Sequence, residues 1–517
     1  MPPVYNSPGV YIVEVPIRPT VISPAGASSL AIFAPFKFGP TNAPVVIRSW
    51  NDFVNTFVHN VNSDGTLDPR PLFNYPSGGG AEETRQRKIR DAAYAIYLYF
   101  LNGGGTAYVF RSITGTVASK GVSTGTDAAS ITATAKYAGK WPAGWKVELS
   151  ITTPLYAEAG KTYYNIRVLY GTIVVEEFSG ISFHSSDLDK PYHASKVNSR
   201  YFTFSASSDT FGTVSPLTIE FTNSDVSGVT EAELGDDAGE ISTIANFFKD
   251  AGGIYTFVVP QWEESSLWEN FKTLVQSVPY SIAVVSFRSI PADSAVAGAR
   301  SDKVVFYYPY INVQNPYIRG VIDTVSPSGA IAGKYSYTDV SFNPGRVPAG
   351  LAIGSLTGVQ SLYYGNSVLT KLSQVDIDAN YPRHYNPIVL QSDGYYLWGA
   401  RASSFSFEWR YINKRRLFNF LEKSIKDALI WVNFENNTPA TRFAVRNQID
   451  LFLRRLTLEG YFASTNPAEA YYVVCDDTNN PPDLVEQGYL VVDIGVAPSK
   501  PAEFVVLRFT EKTATAQ

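Results

Sequence analysis

Four histidines would be the first candidates for metal or acid–base chemistry, but His59, His184, His193 and His384 are scattered through segments of different character. No two of them stand at the spacing of zinc ligands. The glycine runs 78–80 and 103–105 are not followed by Lys-Ser or Lys-Thr, so neither is a phosphate loop; they read as a turn and a helix stop. There is no G-x-S-x-G elbow, and the adjacent carboxylates Asp476 and Asp477 precede Asn-Asn-Pro-Pro, where turn formation explains them. Cys475 is the only cysteine, which excludes an internal disulfide framework and suits a buried strand residue. No catalytic, metal-ligating or cofactor-binding residue is assigned.

What stands out by residue type is basic. From Arg410 to Gly460 the bases are Arg410, Lys414, Arg415, Arg416, Lys423, Lys426, Arg442, Arg446, Arg454 and Arg455, against Glu422, Asp427, Glu435, Asp450 and Glu459, a net charge of +5. The whole chain of 517 residues carries −5, so the remainder carries −10. Two readings stay open for a basic segment on an acidic body: a solvated helix face, or docking against an acidic partner surface.

The elements that carry these charges are two helices. Leu417, Leu421, Ile425, Ala428 and Val432 form one apolar stripe, headed by Lys414, Arg415 and Arg416. After Asn436-Asn437-Thr438-Pro439 a second helix places Val445, Ile449, Phe452 and Leu456 on one side and stops at Gly460. AYYVVCD, GYLVVDIG and AEFVVLRFT follow as three short strands separated by turn residues.

The rest of the chain is organised around that stretch. A length of 517 residues implies three or four domains, and 45% hydrophobic with 17% charged residues implies a folded protein. The N-terminus lacks a secretory signal and no apolar run is long enough to span a membrane, so synthesis and assembly in the cytosol are expected. The mildly acidic balance gives no argument for nucleic acid. Residues 1–22 form an extended arm too isolated to bury itself, which must find a sheet edge in its own subunit or another. Residues 23–114 supply the first part of a core: the strand SSLAIFAPFKFGP, the short helix SWNDFVNTF, the helix TRQRKIRDAAYAIYLYFLNGGG and the strand AYVFRSI. Residues 115–235 turn to Ser, Thr, Gly and Ala with alternating runs such as WKVELSIT and TYYNIRVLYG, an inserted all-β domain of sandwich spacing. In 236–395 helices alternate with the strands IYTFVVP, SIAVVSF and KVVFYYPY, implying a largely parallel sheet buried on both faces; from Pro327 to Asp393 loops dominate, with PSGAIAGKYSYTD a short helix. Residues 396–499 form the C-terminal domain and 500–517 a second arm, giving a multidomain chain of α/β and α+β character.

Several motifs in this order resemble contractile tail sheath proteins of phages and of phage-tail-like injection particles. They are SPGVYIVEV from Ser7, FGPTNAPVVIRSWNDF from Phe38, YLYFLNGGGTAYVFR from Tyr97, VVFYYPY and VSPSGAIAGKYSYTD between Val304 and Asp339, GARASSFSFEWRYINKRRLFNFLEKSI from Gly399, FENN at Phe434, and CDDTNN leading to APSKPAEFVVLRF. Val347-Pro348-Ala349-Gly350 stands where the family has Ala-Pro-Ala-Asn, and Ala402 where it has Thr, departures that bear on loop geometry alone.

The resemblance implies a structural protein, not an enzyme, that stacks as six-membered rings around an inner tube and contracts to drive the tube through an envelope. It implies a core made from both ends of the chain, an α/β lobe likened to subtilisin without its triad, and inserted outer domains. Arms exchanged between subunits would be Val10, Tyr11, Ile12, Val13, Glu14 and Val15 at one end and Glu503, Phe504, Val505, Val506, Leu507, Arg508 and Phe509 at the other. The accepting strands would be Tyr471, Tyr472, Val473 and Val474 with Tyr489, Leu490, Val491 and Val492. Lys414, Arg415, Arg416, Arg442 and Arg446 would face the tube, with Arg454 and Arg455 structural. The implied partners are further copies of the chain, the tube protein, and baseplate and cap proteins, with no cofactor, nucleic acid or membrane insertion. A non-contractile tube or baseplate component is the second reading, and an enzyme of subtilisin-like fold the third.

Overall fold

The computed structural model describes residues 22–41, 43–74, 81–115, 119–123, 130–137, 144–209, 217–221, 231–233, 238–258, 265–504 and 506–508. The chain divides into two compact units, one comprising 27–342 with 347–415 and the other 1–26, 343–346 and 416–517.

The larger unit is built on a nine-stranded sheet. Its strands run in the order Ser355–Leu356, Gly394–Leu397, Tyr385–Gln391, Val304–Tyr308, Ser281–Ser286, Tyr255–Val258, Ser29–Ala34, Ala107–Arg111 and Val45–Ile47. The six from Tyr385–Gln391 to Ala107–Arg111 are parallel, and the outer three pair antiparallel. Every residue of Tyr255–Val258, Ser281–Ser286 and Val304–Tyr308 is buried, as a parallel sheet covered by helices on both faces requires.

One contact between helices depends on two glycines. Gly329 and Gly333, one turn apart on the helix Ser328–Ser341, lie against the helix Ala81–Leu101 so closely that a β-carbon would meet Ala95 O at 2.2 Å and Tyr99 O at 2.5 Å. That helix runs to 14 residues, longer than the short helix expected from PSGAIAGKYSYTD. Beside it Arg90 pairs with Asp323 at 2.7 Å, and Asp323 also accepts from Tyr94 Oη and, at 3.0 Å, from Asn315 Nδ2. The sequence reading missed a four-stranded sheet, Ile322–Val325, Tyr310–Gln314, Val359–Tyr364 and Ser367–Leu369, of which the last two lie within the loop-rich stretch Pro327 to Asp393. Its strands are three to six residues long and interrupted by turns, too short to show a period.

Between 113 and 233 every strand pairs antiparallel, in a three-stranded sheet (Phe202–Ala206, Ser130–Ala135, Ser119–Ser123) and a four-stranded one (Leu217–Phe221, Trp145–Thr152, Tyr163–Tyr170, Ile173–Ser182). Where the chain enters and leaves this region, Ile113–Gly115 pairs with Glu231–Glu233. A second hydrophobic core fills it, with Trp145, Val147, Tyr164, Ile166 and Phe202 fully buried and Phe38 inserted from outside the region.

The smaller unit holds the C-terminal helices. The first, Ile412–Ala428, begins in the larger unit; a single 3₁₀ turn at Ile430–Val432 follows, so Val432 falls outside the helix expected to include it. The second, Pro439–Leu458, is capped by Thr438 Oγ1, which accepts from Thr441 N at 3.2 Å. Gly460, at φ 78°, supplies the left-handed residue that ends it. Phe420 packs on Phe452 and Tyr461, and Ala25 N donates to Ser424 Oγ at 2.9 Å, which lays the described start of the chain along the first helix.

Candidate functional site

The site the sequence singles out is the end of the C-terminal unit. Tyr471–Val474 and Asp493–Val496 form a two-stranded antiparallel sheet with Tyr471 opposite Val496 and Val474 opposite Asp493. Because side chains alternate, Tyr471 and Val473 face the second helix while Tyr472 faces away. Val473 is buried, and Tyr471 Oη donates to Asp450 Oδ1 at 3.0 Å. Burial, then that carboxylate, pushes the Tyr471 hydroxyl up to about 12. On the other face Tyr472, 60% exposed, lays its ring across Gly495, where a β-carbon would meet Cε1 at 2.1 Å.

The turn Cys475–Asn480 closes the sheet with its own side chains. Asp476 Oδ1 accepts from Thr478 N and from its hydroxyl, which hold the carboxyl below its ordinary value. Asn479 Nδ2 donates to Val474 O at 2.9 Å and Asp493 Oδ2 at 3.0 Å. Asn480 both receives from Val491 N at 2.7 Å and donates to Val491 O at 2.9 Å. That last pair corrects one expectation: Tyr489, Leu490, Val491 and Val492 are not a strand, because the Asn480 amide takes the backbone groups that a neighbouring strand would need. The strand begins two residues beyond Val491. Cys475 is buried and its thiol is pushed up by desolvation, a packing residue as expected.

The C-terminal segment is also not a strand here. Residues 501–504 and 506–508 have no regular structure, and Phe504, Val506 and Leu507 are 74%, 75% and 72% exposed. A strand needs a partner edge, and among the described residues neither edge of the two-stranded sheet carries a third strand. Val505, Phe509 and the whole N-terminal set Val10, Tyr11, Ile12, Val13, Glu14 and Val15 lie outside the described residues.

The five basic residues expected to act together do not form one exposed group. Arg416 is buried, with Nη1 at 3.5 Å from Arg346 O. Arg442 is buried and clamps the second helix to the turn, donating to Asp477 Oδ1 at 2.6 Å and Asn437 Oδ1 at 3.0 Å. Both correct the expectation of a surface role in this conformation: the helix periodicity shows the apolar stripe but not which flanking arginines the neighbouring loops enclose. Lys414 and Arg415 are half-buried over the Trp409 ring, and Arg415 lies 3.8 Å from Asp302. Arg446 is exposed, as is Arg454, which was expected to be structural; Arg455 pairs with Glu459 at 3.7 Å. The same exposed side of the second helix carries Phe443, Leu451 and Leu458, and the loop before it holds Phe434 at φ 69° fully in solvent. Only their failure to join the apolar stripe could have marked them in the sequence.

The histidines serve structure. His59 is buried, and desolvation, with Lys37, Arg111 and Arg200 nearby, pushes it down to about 3. His384 Nδ1 lies 2.9 Å from Ala402 O, His193 Nδ1 2.8 Å from Ser195 Oγ, and His184 Nε2 accepts from Thr162 N at 3.2 Å. No group of side chains among the described residues could hold a metal ion, and no helix among them is long and apolar enough to cross a membrane.

A layered α/β sheet, an antiparallel insertion and a helical pair ending in a small two-stranded sheet are the elements that the resemblance to contractile tail sheath proteins implied. Residues 406–511 match the family of the phage tail sheath C-terminal domain. The tail sheath protein of Vibrio phage KVP40 is 34% identical over 192 residues, 37% of this chain and 27% of that protein. That of Enterobacteria phage T4 is 31% identical over 188 residues, 36% of this chain and 26% of that protein. The chain thus spans about a quarter of the length of the curated relatives it matches. In fold it is similar to the helical sheath of the anti-feeding prophage in its contracted state (TM-score 0.60, 22% identity, 98% of this chain and 100% of that one). It is also similar to the sheath tail protein of Listeria innocua (TM-score 0.59, 12% identity, 88% and 90%). At these identities the structural likeness carries the fold alone, and the sequence matches carry the resemblance read from the motifs.

Proposed function

We propose that this chain is a structural, non-enzymatic sheath subunit, a component of a phage tail or tail-like particle assembled in the cytoplasm. Copies stack as six-membered rings around an inner tube, between baseplate and cap, and contract to drive the tube through a target envelope. The observation that carries this reading is the pairing, on one chain, of a two-stranded sheet that has no third strand among the described residues and a segment with exposed Phe504, Val506 and Leu507. Each is the complement of the other. In an added strand Phe504 and Val506 share one face, and burying these two against a neighbour contributes roughly 1.5–3 kcal/mol apiece before the cost of ordering the segment. The N-terminal arm takes the other edge.

In this reading residues 236–395 form the subtilisin-like lobe, its sheet continued by the strands Ser29–Ala34 and Ala107–Arg111 of the 23–114 core, and residues 115–235 form the outer insertion. Subunits assemble in an extended lattice templated by the tube and fall to one with more contact between them, so the work is stored in folding and assembly and needs no nucleotide. Exchanged strands stay paired and act as tethers while the bodies rotate. Lys414, Arg415 and Arg446 remain for the tube; rim ion pairs of roughly 0–1 kcal/mol each, repeated around a ring, hold it reversibly. Arg416 and Arg442 support the face from within.

Electron microscopy of the purified chain tests the reading. Wide hollow cylinders are expected from the full chain and none from a truncation after Ser499. Cylinders from the truncated chain would contradict the exchange of C-terminal arms.

A further inference from the structure

The loop before the first C-terminal helix holds two aromatic rings in solvent although its backbone is firmly tied. Ser403 N donates to Val304 O at 2.8 Å, Ser403 Oγ donates to Ser301 O and accepts from Ser301 N, and Ala402 N donates to Arg410 O at 2.7 Å. On this frame Phe405 and Phe407 are 61% and 75% exposed. Each lies beside a guanidinium, Arg300 at 4.4 Å from the Phe405 centroid and Arg410 at 5.2 Å from that of Phe407. Arg300 is employed by Asp293 and by the carbonyls of Arg383 and Ser403. Arg410 is not: among the described residues its guanidinium makes no hydrogen bond or ion pair, and its Nε is buried without a partner. A desolvated charged donor left unpaired is costly, and arginine beside exposed aromatic rings is the composition of an interface centre.

The complement is on the same sequence. From Asp476 to Asp493 there are five carboxylates and no base. Two of them, Asp483 and Glu486, are exposed on the short helix Pro482–Glu486, three residues apart and therefore on one face, and neither has a hydrogen bond or ion pair among the described residues. Tyr489, 57% exposed, follows directly.

We infer that the Phe405–Arg410 loop of one subunit docks on the Pro482–Tyr489 segment of a second copy, with the Arg410 guanidinium between Asp483 and Glu486 and the two phenylalanines against Tyr489. The occupant is another copy because the carboxylates that match the free guanidinium recur on every subunit, and the chain outside 410–460 carries −10. This rests on the self-assembling subunit proposed above and adds a contact that no arm supplies. A charge-bearing contact of this kind fixes register between neighbours as well as adding affinity.

The test is the critical concentration for cylinder assembly, read by sedimentation and microscopy, on full-length chains with unchanged thermal melting. Arg410→Glu, Phe407→Ser and the pair Asp483→Lys with Glu486→Lys each raise it by about tenfold or more, and combining Arg410→Glu with the two lysine substitutions restores it to within about threefold of wild type. Phe407→Ser, at a largely exposed position, keeps the test valid if Arg410→Glu fails to fold. Wild-type protein that stays monomeric at high concentration contradicts the sheath reading and this contact together. Wild-type cylinders with every variant equally competent overturn the contact alone. Weakened single variants without recovery in the combination show that the loop docks on something other than this acidic segment.

Discussion

His59 shows how a chemically suggestive residue becomes a stability device. Its pKa falls to about 3 because burial disfavours the imidazolium, with Lys37, Arg111 and Arg200 adding to it. The unfolded chain binds this proton near pH 6.5 and the folded chain does not, so stability contributed at neutral pH is lost as pH falls from there toward 3. Between pH 7 and pH 5 the expected loss from this residue is about 2 kcal/mol, which urea unfolding at the two pH values would measure. His59→Asn is expected to start less stable and to lose correspondingly less over the same interval. Arg442 gives a second test at this scale. Its guanidinium is buried while Asp477 is 86% exposed, so Arg442→Ala removes packing and two charge-assisted bonds, leaves the carboxylate in water, and costs about 1–3 kcal/mol. Its effect on assembly is then indirect, unlike that of Arg446, whose reversal to Glu is expected to leave melting unchanged and to weaken extended sheath on the tube, more so with added salt.

At the scale of elements, the helix crossing at Gly329 and Gly333 admits no side chain. Gly333→Ala places a β-carbon 2.5 Å from a backbone oxygen, and either helix must move; a loss of about 1–3 kcal/mol is expected in denaturant melts. Elements with a strong period or firm punctuation were legible: the buried strands Ser281–Ser286 and Val304–Tyr308, the helix Ala81–Leu101 stopped by glycines, and the helix Pro439–Leu458 with Thr-Pro at its start. The strand expected at Tyr489–Val492 was not there, because β-branched and aromatic composition cannot register that one asparagine, Asn480, has already taken the backbone of Val491. The C-terminal strand was absent for a different reason: its β-branched and aromatic composition is real, but the edge that would make it a strand is not supplied within the described chain. Of the candidate site, the strand Tyr471–Val474 was readable; which arginines face solvent was not, since that depends on the remote segments 343–346 and 475–480.

At the scale of the whole molecule, the proposed subunit is incomplete by itself: among the described residues its small sheet carries no third strand, its C-terminal segment exposes Phe504, Val506 and Leu507, and the chain is charged +5 over 410–460 and −10 elsewhere. Such a chain lowers its free energy by repeating, and the contact that repeats should be strand addition. The most direct measurement is a density map of the polymer formed by the purified full-length chain, at a resolution that traces main chain. The predicted result is that residues 503–508 of one copy run as a strand beside Tyr471–Val474 or Asp493–Val496 of a neighbour, burying Phe504 and Val506 on its inner face. A polymer in which that segment stays in solvent, or folds back onto its own subunit's sheet, contradicts the account.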